Sequence, residues 1–485
     1  MLDTIVELIA LCETEYAERT AFQWLDEESG EVRSVTFSRF ADDVRRCAGA
    51  LGRELGSLAH THVALLARNS YPYAVWLLAV MLSGGVAIPL NFEKEREEIA
   101  YELSHAEAEV LLHDGGYFQR EGGAEGLFSG RLLPMGESFT GEPLETAPLC
   151  SADELRMLLF TSGTTGRSKA VMLSEKAILS VVESDIQLSD TAQRGIGEDP
   201  KAHISELLIL PLYHVAGLNR LFVRLAGGNT LNLCGDLSAF YRDVVALPTD
   251  YVLTVPVIFK SLYRDVLRGR KKKLGQVRTV VSAGAMLDGE QLRVMVENGY
   301  FVMNCYGMTE LFSGGTRNSS QEERYLNSIG RCSELFQCKA IDGELCFRGD
   351  GVMLGYYRDE AATREVLDAD GWLHTGDLAE IDGDGYVYLT GRKKNLIILA
   401  SGENVSPEEL EEKLLRCEAV RETVVKELEG RIAAEVYCEK EDCEAVRQYA
   451  DELNLTLPLY KRIGTLLFRD TAFERTASGK IKRES

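Results

Sequence analysis

The chain has 485 residues, more than one hydrophobic core usually supports, and its composition of 45% apolar and 27% charged residues suits a soluble globular protein of two or more domains. With 53 lysines and arginines against 76 aspartates and glutamates, the net charge of −23 argues against a general nucleic-acid or anionic-membrane surface, because phosphates are repelled over most of the exterior. Any phosphate site must be local.

Helix-like apolar spacing in Ile5, Val6, Ile9 and Ala10 is followed by a hairpin-like segment through Phe22–Trp24 and 35–37, then by a helix over Phe37–Leu55. From His62 onward, short β-rich runs at 63–66, 86–90 and 110–112 alternate with helical stretches such as 95–104. Strands interleaved with helices imply a wound parallel sheet. The longest uncharged apolar stretch, 74–90, contains Gly84, Gly85 and Pro89 and falls short of the roughly 20 residues of a spanning helix. It is read as buried helix, turn and strand, so no transmembrane segment is expected. The αβ rhythm resumes at 207–212, 251–256 and 279–284. Between about 329 and 390, Gly-Asp turns punctuate short strands and suggest a β-rich subdomain. Beyond the junction Gly391-Arg392-Lys393-Lys394-Asn395, Ser406-Pro407-Glu408-Glu409 opens an amphipathic helix, with serine at the cap and proline in the first turn. The fold class expected is therefore α/β. Residues 1–392 form a large domain of wound αβ sheets with a β-rich subdomain, and 393–485 form a small α+β domain.

Eleven cysteines run from Cys12 to Cys443 without a C-x-x-C pair, and the opening MLDTIVELIALCETEY carries acidic residues where a signal peptide needs a basic flank. Both features suit a reduced, cytoplasmic protein. The seven histidines form no H-E-x-x-H or similar metal motif.

Chemistry concentrates first in Leu158-Leu159-Phe160-Thr161-Ser162-Gly163-Thr164-Thr165-Gly166-Arg167-Ser168-Lys169. A strand-like run feeds a loop of hydroxyls and glycines that a lysine closes. Such a loop suits a polyphosphate, because backbone N–H groups and short hydroxyls donate to phosphate oxygens while Lys169 offsets charge. It lacks the G-x-x-x-x-G-K-[ST] spacing of the common P-loop. In Asn304-Cys305-Tyr306-Gly307-Met308-Thr309-Glu310, the tyrosine offers a flat face for a base and the Thr-Glu pair offers oxygen ligands for Mg²⁺. Asp377 can accept both hydroxyls of a ribose, and Arg392, fifteen residues later, can reach the same sugar or a phosphate. Singly, each of these strings reads as a turn, a helix cap or a solvated charge.

Together and in this order, from about Thr36 to Lys480, the segments resemble the adenylate-forming, or AMP-binding, superfamily: acyl-CoA and aryl-CoA synthetases, peptide-synthetase adenylation domains and luciferases. The resemblance implies ATP, Mg²⁺ and coenzyme A as cofactors or co-substrates. It places Thr161, Ser162, Gly163, Thr164, Thr165, Gly166 and Lys169 on the phosphates, and Gly284, Ala285, Asn304, Tyr306, Gly307 and Met308 around the nucleotide. Thr309 would meet the α-phosphate, Glu310 would hold the magnesium, and Asp377 and Arg392 would hold the ribose. Lys480, in Arg475-Thr476-Ala477-Ser478-Gly479-Lys480-Ile481, matches the lysine that bridges the substrate carboxylate and the α-phosphate. In the family the small domain is mobile, with Lys394 at the hinge position, and exchanges that lysine for the loop around Gly402. The chain departs from the family pattern at Glu474 and Ser168, where proline is common.

The reaction this implies is attack of a carboxylic acid on ATP with release of pyrophosphate, then transfer of the acyl group to a thiol. No aspartate follows Leu210-Pro211-Leu212-Tyr213-His214-Val215-Ala216-Gly217-Leu218 to anchor an amino group, which disfavours an α-amino acid. The Tyr-His pair is similar to that of fatty-acyl and aryl-CoA synthetases and sets His214 beside the acid. Val215, Leu218, Val255, Pro256, Gly284 and Met308 are candidate pocket walls. A fatty or other hydrophobic acid is expected ahead of an aryl acid, in a setting of fatty-acid metabolism. Coenzyme A is favoured as acceptor over an acyl carrier protein. Two alternatives stand beside this reading: a stand-alone enzyme that loads a carrier-protein phosphopantetheine, and a degenerate nucleotide-binding homologue that only senses.

Overall fold

Runs such as Val63-Ala64-Leu65-Leu66, Val86-Ala87-Ile88 and Val110-Leu111-Leu112 are almost wholly buried, as parallel strands covered on both faces must be. The computed structural model describes residues 2–483 apart from 137, 149, 162–166, 200, 235, 285–286, 288, 400–402, 429, 476–480 and 482, and only the backbone of 256 and 257. The chain divides into two units. The first comprises Met1–Cys338, Phe347–Leu373 and Gly383–Val387, and the second Lys339–Cys346, His374–Asp382 and Tyr388–Ser485.

Two sheets organise the first unit. In one, parallel strands Phe301–Gly307, Thr279–Ala283, Tyr251–Thr254, Ser205–Leu208, Thr230–Leu233 and Thr20–Leu25 lie side by side. Val32–Thr36 closes one edge antiparallel, and Gly315–Asn318 and Gly330–Cys332 extend the other. The second sheet runs Gly355–Tyr356, Lys169–Ser174, Leu155–Thr161, Val86–Pro89, His62–Leu66, Val110–His113 and Arg131–Pro134. Its last five members are parallel, and Leu155–Thr161 and Lys169–Ser174 form an antiparallel hairpin that pairs Thr161 with Lys169. The hydroxyl-rich loop connects these two strands.

The helix expected over Phe37–Leu55 has those bounds, with the Thr36 side chain accepting from Arg39 N. The stretch 74–90 resolves as the end of helix Tyr71–Leu82, a turn and strand Val86–Pro89, all buried. The strand expected over 207–212 instead spans Ser205–Leu208. Past it, Asn69 Nδ2 donates to Leu210 O at 2.9 Å and Asn69 Oδ1 accepts from Leu212 N at 2.7 Å, so a side chain replaces the sheet partner before Pro211.

In the second unit, Glu422–Leu428 and Arg431–Tyr437 form an antiparallel pair, and Ile463–Arg469 lies parallel to the latter. Helices Pro407–Leu414 and Cys443–Thr456 supply Leu410, Leu414, Val446 and Ala450 to a core with Val425, Ile432, Ala434 and Val436. Ser406 holds the N-cap position, but its hydroxyl donates to Glu408 at 3.1 Å rather than capping a backbone N–H. Among the described residues, no helix is long and apolar enough to cross a membrane.

One buried ion pair ties the hairpin strand to its neighbours. Arg156 Nε donates to Glu175 Oε2 at 2.9 Å, Arg156 Nη1 donates to Gly84 O at 2.6 Å, and Glu175 Oε1 accepts from Ile5 N. Their side chains are 0% and 8% exposed. Arg156→Leu leaves a buried carboxylate without its cation and is expected to cost about 3–5 kcal/mol, whereas Arg156→Leu with Glu175→Leu should cost much less. Urea unfolding midpoints check this, and equal losses in the single and double variants would contradict it.

Candidate functional site

Lys169 begins the strand that leaves the hydroxyl loop, half-buried, and Thr161 Oγ1 donates to its carbonyl at 3.5 Å. Its Nζ stands 4.8 Å from the centroid of the Tyr356 ring, a cation–π contact that restrains the ammonium. Tyr356 pairs with Val171 of the same hairpin, and its hydroxyl donates to Glu310 Oε1 at 2.8 Å. Burial and the Glu310 charge push this phenol well above its ordinary pKa, so it stays protonated as a donor. Three positions far apart in the chain thus form one contact series, Lys169 to Tyr356 to Glu310. Ser168, where the family commonly has proline, accepts from Lys94 Nζ at 2.9 Å, and Lys94 also bonds the buried Glu102.

Glu310 lies in a tight turn. Strand Phe301–Gly307 ends at Gly307, and Thr309–Leu311 forms a single 3₁₀ turn with Met308 at its N-cap. A Cβ on residue 307 would come within 2.2 Å of Ser313 O, so only glycine lets the returning chain pass. Two non-glycine residues follow in left-handed conformation, Phe312 at φ 46° and Ser313 at φ 68°. The buried Phe312 ring packs edge-on against Phe222, centroids 6.0 Å apart. Arg317 Nη2 donates to Ser313 O at 2.9 Å, and Nη1 to Tyr306 O at 3.1 Å. Tyr306 is stacked with Phe347 at 6.2 Å and 17° between planes, and is half-exposed. Asn304 is buried, and its Nδ2 donates to Ser328 O at 3.4 Å. Gly284 is exposed directly after strand Thr279–Ala283.

His214 is the N-cap of helix Val215–Ala226, its Nδ1 accepting from Ala216 N at 3.2 Å, which places the ring proton on Nε2 in the neutral tautomer. Gly217 lets this helix close on the preceding loop, since a Cβ there would sit 2.2 Å from Pro211 O. Val215 and Leu218 are buried on the helix, and Met308 and Val255 are half-buried. Ser162, Gly163, Thr164, Thr165, Gly166, Ala285, Gly402 and Lys480, and the Pro256 side chain, lie outside the described residues.

Within the second unit, Asp377 and Arg392 meet: Arg392 Nε is 2.6 Å from Asp377 Oδ1, and Nη2 donates to Oδ2 at 3.4 Å. Asp377 is 6% exposed and Arg392 about two-fifths exposed along its side chain. Beside them, spacing in the sequence did not reveal a cluster of Glu344, Cys346 and His374, whose potential ligand atoms lie within 4.8 Å of one another. Lys393 Nζ donates to Glu344 Oε2 at 2.9 Å, His374 Nδ1 is 3.1 Å from the same oxygen, and Gly376 N donates to Oε1 at 2.8 Å. Although burial raises the Glu344 carboxyl, these hydrogen bonds hold it below its ordinary pKa. A carboxylate already neutralised by a lysine makes this a hydrogen-bonded junction rather than a cation site. The basic run at 268–273 is a solvated turn, with Arg270 and Lys273 facing Asp265.

A family profile described as AMP-binding enzyme matches residues 12–357. The chain is 30% identical to 4-coumarate–CoA ligase-like 4 of Oryza sativa subsp. japonica over 493 aligned positions, covering 93% of this chain and 87% of that protein. It is also 30% identical to 2-succinylbenzoate–CoA ligase of Bacillus cereus (strain Q1), covering 81% of each. Among solved structures, o-succinylbenzoate coenzyme A synthetase of Bacillus subtilis, in complex with ATP and magnesium ion, superposes with a TM-score of 0.79 at 25% identity over 98% of both chains.

Tyr356→Phe removes the donor to Glu310 and is expected to weaken binding of magnesium–ATP roughly tenfold or more, the value of a hydrogen bond to a charged group. Calorimetric titration decides, and unchanged affinity would take Tyr356 out of the site.

Proposed function

The chain belongs to the AMP-binding enzyme family, and from that premise we propose that it is an AMP-forming acid–CoA ligase acting on a carboxylic acid, ATP and coenzyme A. The observation that carries the reading is the contact series from Lys169 through Tyr356 to Glu310, which joins a cation, a protonated donor and a hard oxygen ligand at the end of the hydroxyl-loop hairpin. An oxygen-only donor suits magnesium, which supplies charge screening on the phosphates when bound with ATP. Lys169 steadies the phosphates electrostatically, Tyr356 orients Glu310, and the Tyr306 face, backed by Phe347, offers a platform for adenine. A carboxylate oxygen of the acid attacks the α-phosphorus, and the bond to the bridging oxygen breaks as pyrophosphate leaves. The sulfur of coenzyme A then attacks the acyl carbonyl, and AMP departs with the electron pair of the C–O bond while the thiol proton passes to solvent. No protein nucleophile is required.

Finer features belong to the same proposal. Asp377 and Arg392 hold the ribose, and Thr309 meets the α-phosphate. The small domain, residues 393–485, is mobile and delivers Lys480 to the first half-reaction. The acid carries an apolar body that passes His214. The names of both sequence relatives contain aryl acids, which supports an aryl body ahead of a fatty chain, the reverse of the order expected from the sequence. Eleven free cysteines support a reducing, cytoplasmic setting.

Pyrophosphate release over a panel of aryl, fatty and short acids, with and without coenzyme A, tests the reading. Release that coenzyme A accelerates supports the ligase. Release that coenzyme A leaves unchanged moves the assignment to loading of a carrier-protein phosphopantetheine, and silence with every acid moves it to a nucleotide-binding homologue. Lys480→Ala should lower adenylate formation at least a hundredfold and spare thioester formation from a supplied acyl adenylate. Loss of both half-reactions would contradict the division of labour.

A further inference from the structure

In the second unit, strand Arg431–Tyr437 runs into Cys438-Glu439-Lys440-Glu441-Asp442, and a second cysteine, Cys443, opens the helix that follows. Lys440–Asp442 form a single 3₁₀ turn, with Asp442 N donating to Glu439 O at 3.0 Å. This reversal brings the two sulfurs to 3.7 Å, within hydrogen-bond reach. Neither end is free to drift. Tyr437 pairs with Glu422 on one side and Arg469 on the other, and the helix sends Val446 and Ala450 into the core that also holds Cys438. The separation is thus set by the packing of a strand and a helix.

The two thiols differ in access. Cys438 is 5% exposed, whereas Cys443 is half-buried and its sulfur also donates to Glu439 O at 3.7 Å. Burial, with the hydrogen bond to Cys443, pushes the Cys438 thiol up to about 11, which keeps it protonated at neutral pH. An external reagent therefore meets Cys443 first. At the same junction the N-cap residue Asp442 makes no side-chain capping bond, so the first turn of the helix lacks that restraint.

We propose that Cys438 and Cys443 are a reversible oxidation site, at which a low-molecular-weight disulfide such as glutathione disulfide converts the dithiol to an internal disulfide that ties the helix to the strand. The Cys443 thiolate attacks one sulfur of the reagent, whose S–S bond breaks to release a glutathione thiolate. Cys438, its proton lost to solvent, then attacks the Cys443 sulfur of the mixed disulfide and expels the second glutathione thiolate. Both thiolates take protons from solvent, so the protein gives up two electrons and two protons and the reagent becomes two molecules of glutathione. Sulfurs already in contact need only a small rotation to bond, whereas an unfolded chain must first close the loop. The fold therefore favours the link, and by linkage the link favours the fold by the same factor.

The test needs no substrate and stands apart from the ligase reading. The reduced full chain is equilibrated with equal concentrations of glutathione and glutathione disulfide, quenched in acid, alkylated and mapped by peptide mass spectrometry. Most chains should carry Cys438 linked to Cys443, and the mapping separates this link from any at Cys332 and Cys338, a hydrogen-bonded thiol pair of the first unit. Cys438→Ser should halt the reaction at a glutathione adduct on Cys443. In urea that unfolds the chain, the equilibrium for the link should fall roughly tenfold or more. A native chain without the link, its Cys443 reduced or left as the adduct, overturns the proposal. So does a link that forms equally well in urea, since the fold then contributes nothing. A Cys438→Ser chain whose Cys443 takes no adduct overturns it as well, because Cys443 is then not the sulfur that the reagent meets.

Discussion

Glu310 is a carboxylate kept below the surface, 7% exposed, and much of the first unit answers to that constraint. A carboxylate removed from water must recover its hydrogen bonds from the protein, and Tyr356 supplies one from a strand pair that also holds Lys169. The turn around it is held in conformations that non-glycine residues avoid, at Phe312 and Ser313, each costing about 1–3 kcal/mol. Packing of the Phe312 ring against Phe222 and the Arg317 bond to Ser313 O offset that strain. Strain, aromatic packing and the buried Arg317–Asp185 pair therefore serve one end, a carboxylate in a fixed place before any ligand arrives.

The same logic links the two sheets of the first unit. The parallel strands end before 209–214, 284 and 308–310, and the hairpin of the other sheet brings Tyr356 to the last of these, with Lys169 against the Tyr356 ring. Two bonds from Asn69 shape the loop before His214, and the missing Cβ of Gly217 lets the helix follow at once. Side chains and glycines, rather than sheet hydrogen bonds, define these loops, as expected where backbone must approach a ligand.

Much of the fold was legible in the residues. The helix Phe37–Leu55 shows 3.6-residue spacing with a threonine cap, and the parallel sheets follow from doubly buried runs such as Val63-Ala64-Leu65-Leu66. Candidate site residues that share a segment could be singled out from the chain itself: Tyr306 with Glu310, and the hydroxyl-rich run with Lys169. Partners brought together only by folding were not. Tyr356 is 46 residues from Glu310, and the Glu344–Lys393 bond spans 49. Arg220 and Arg224 are both buried, paired with Glu206 on the neighbouring strand, 14 and 18 residues away in the chain. Ser168, where proline is common in the family, accepts from Lys94, a bond that proline lacks a side-chain acceptor to make.

In a chain of net charge −23, cations at a binding site face abundant competition from the protein's own acids. Three arrangements in the chain answer this differently. Lys169 rests on an aromatic face, which restrains the ammonium without neutralising it and leaves its full charge for a phosphate. Arg392 is paired with the almost buried Asp377, so its charge is met within the second unit. Arg220 and Arg224 share Glu206 and lie against the Tyr251 ring, which holds both guanidinium groups inside the protein. Each of these cations is thus held by a partner of its own, an aromatic face or a carboxylate, inside a chain whose exterior is acidic.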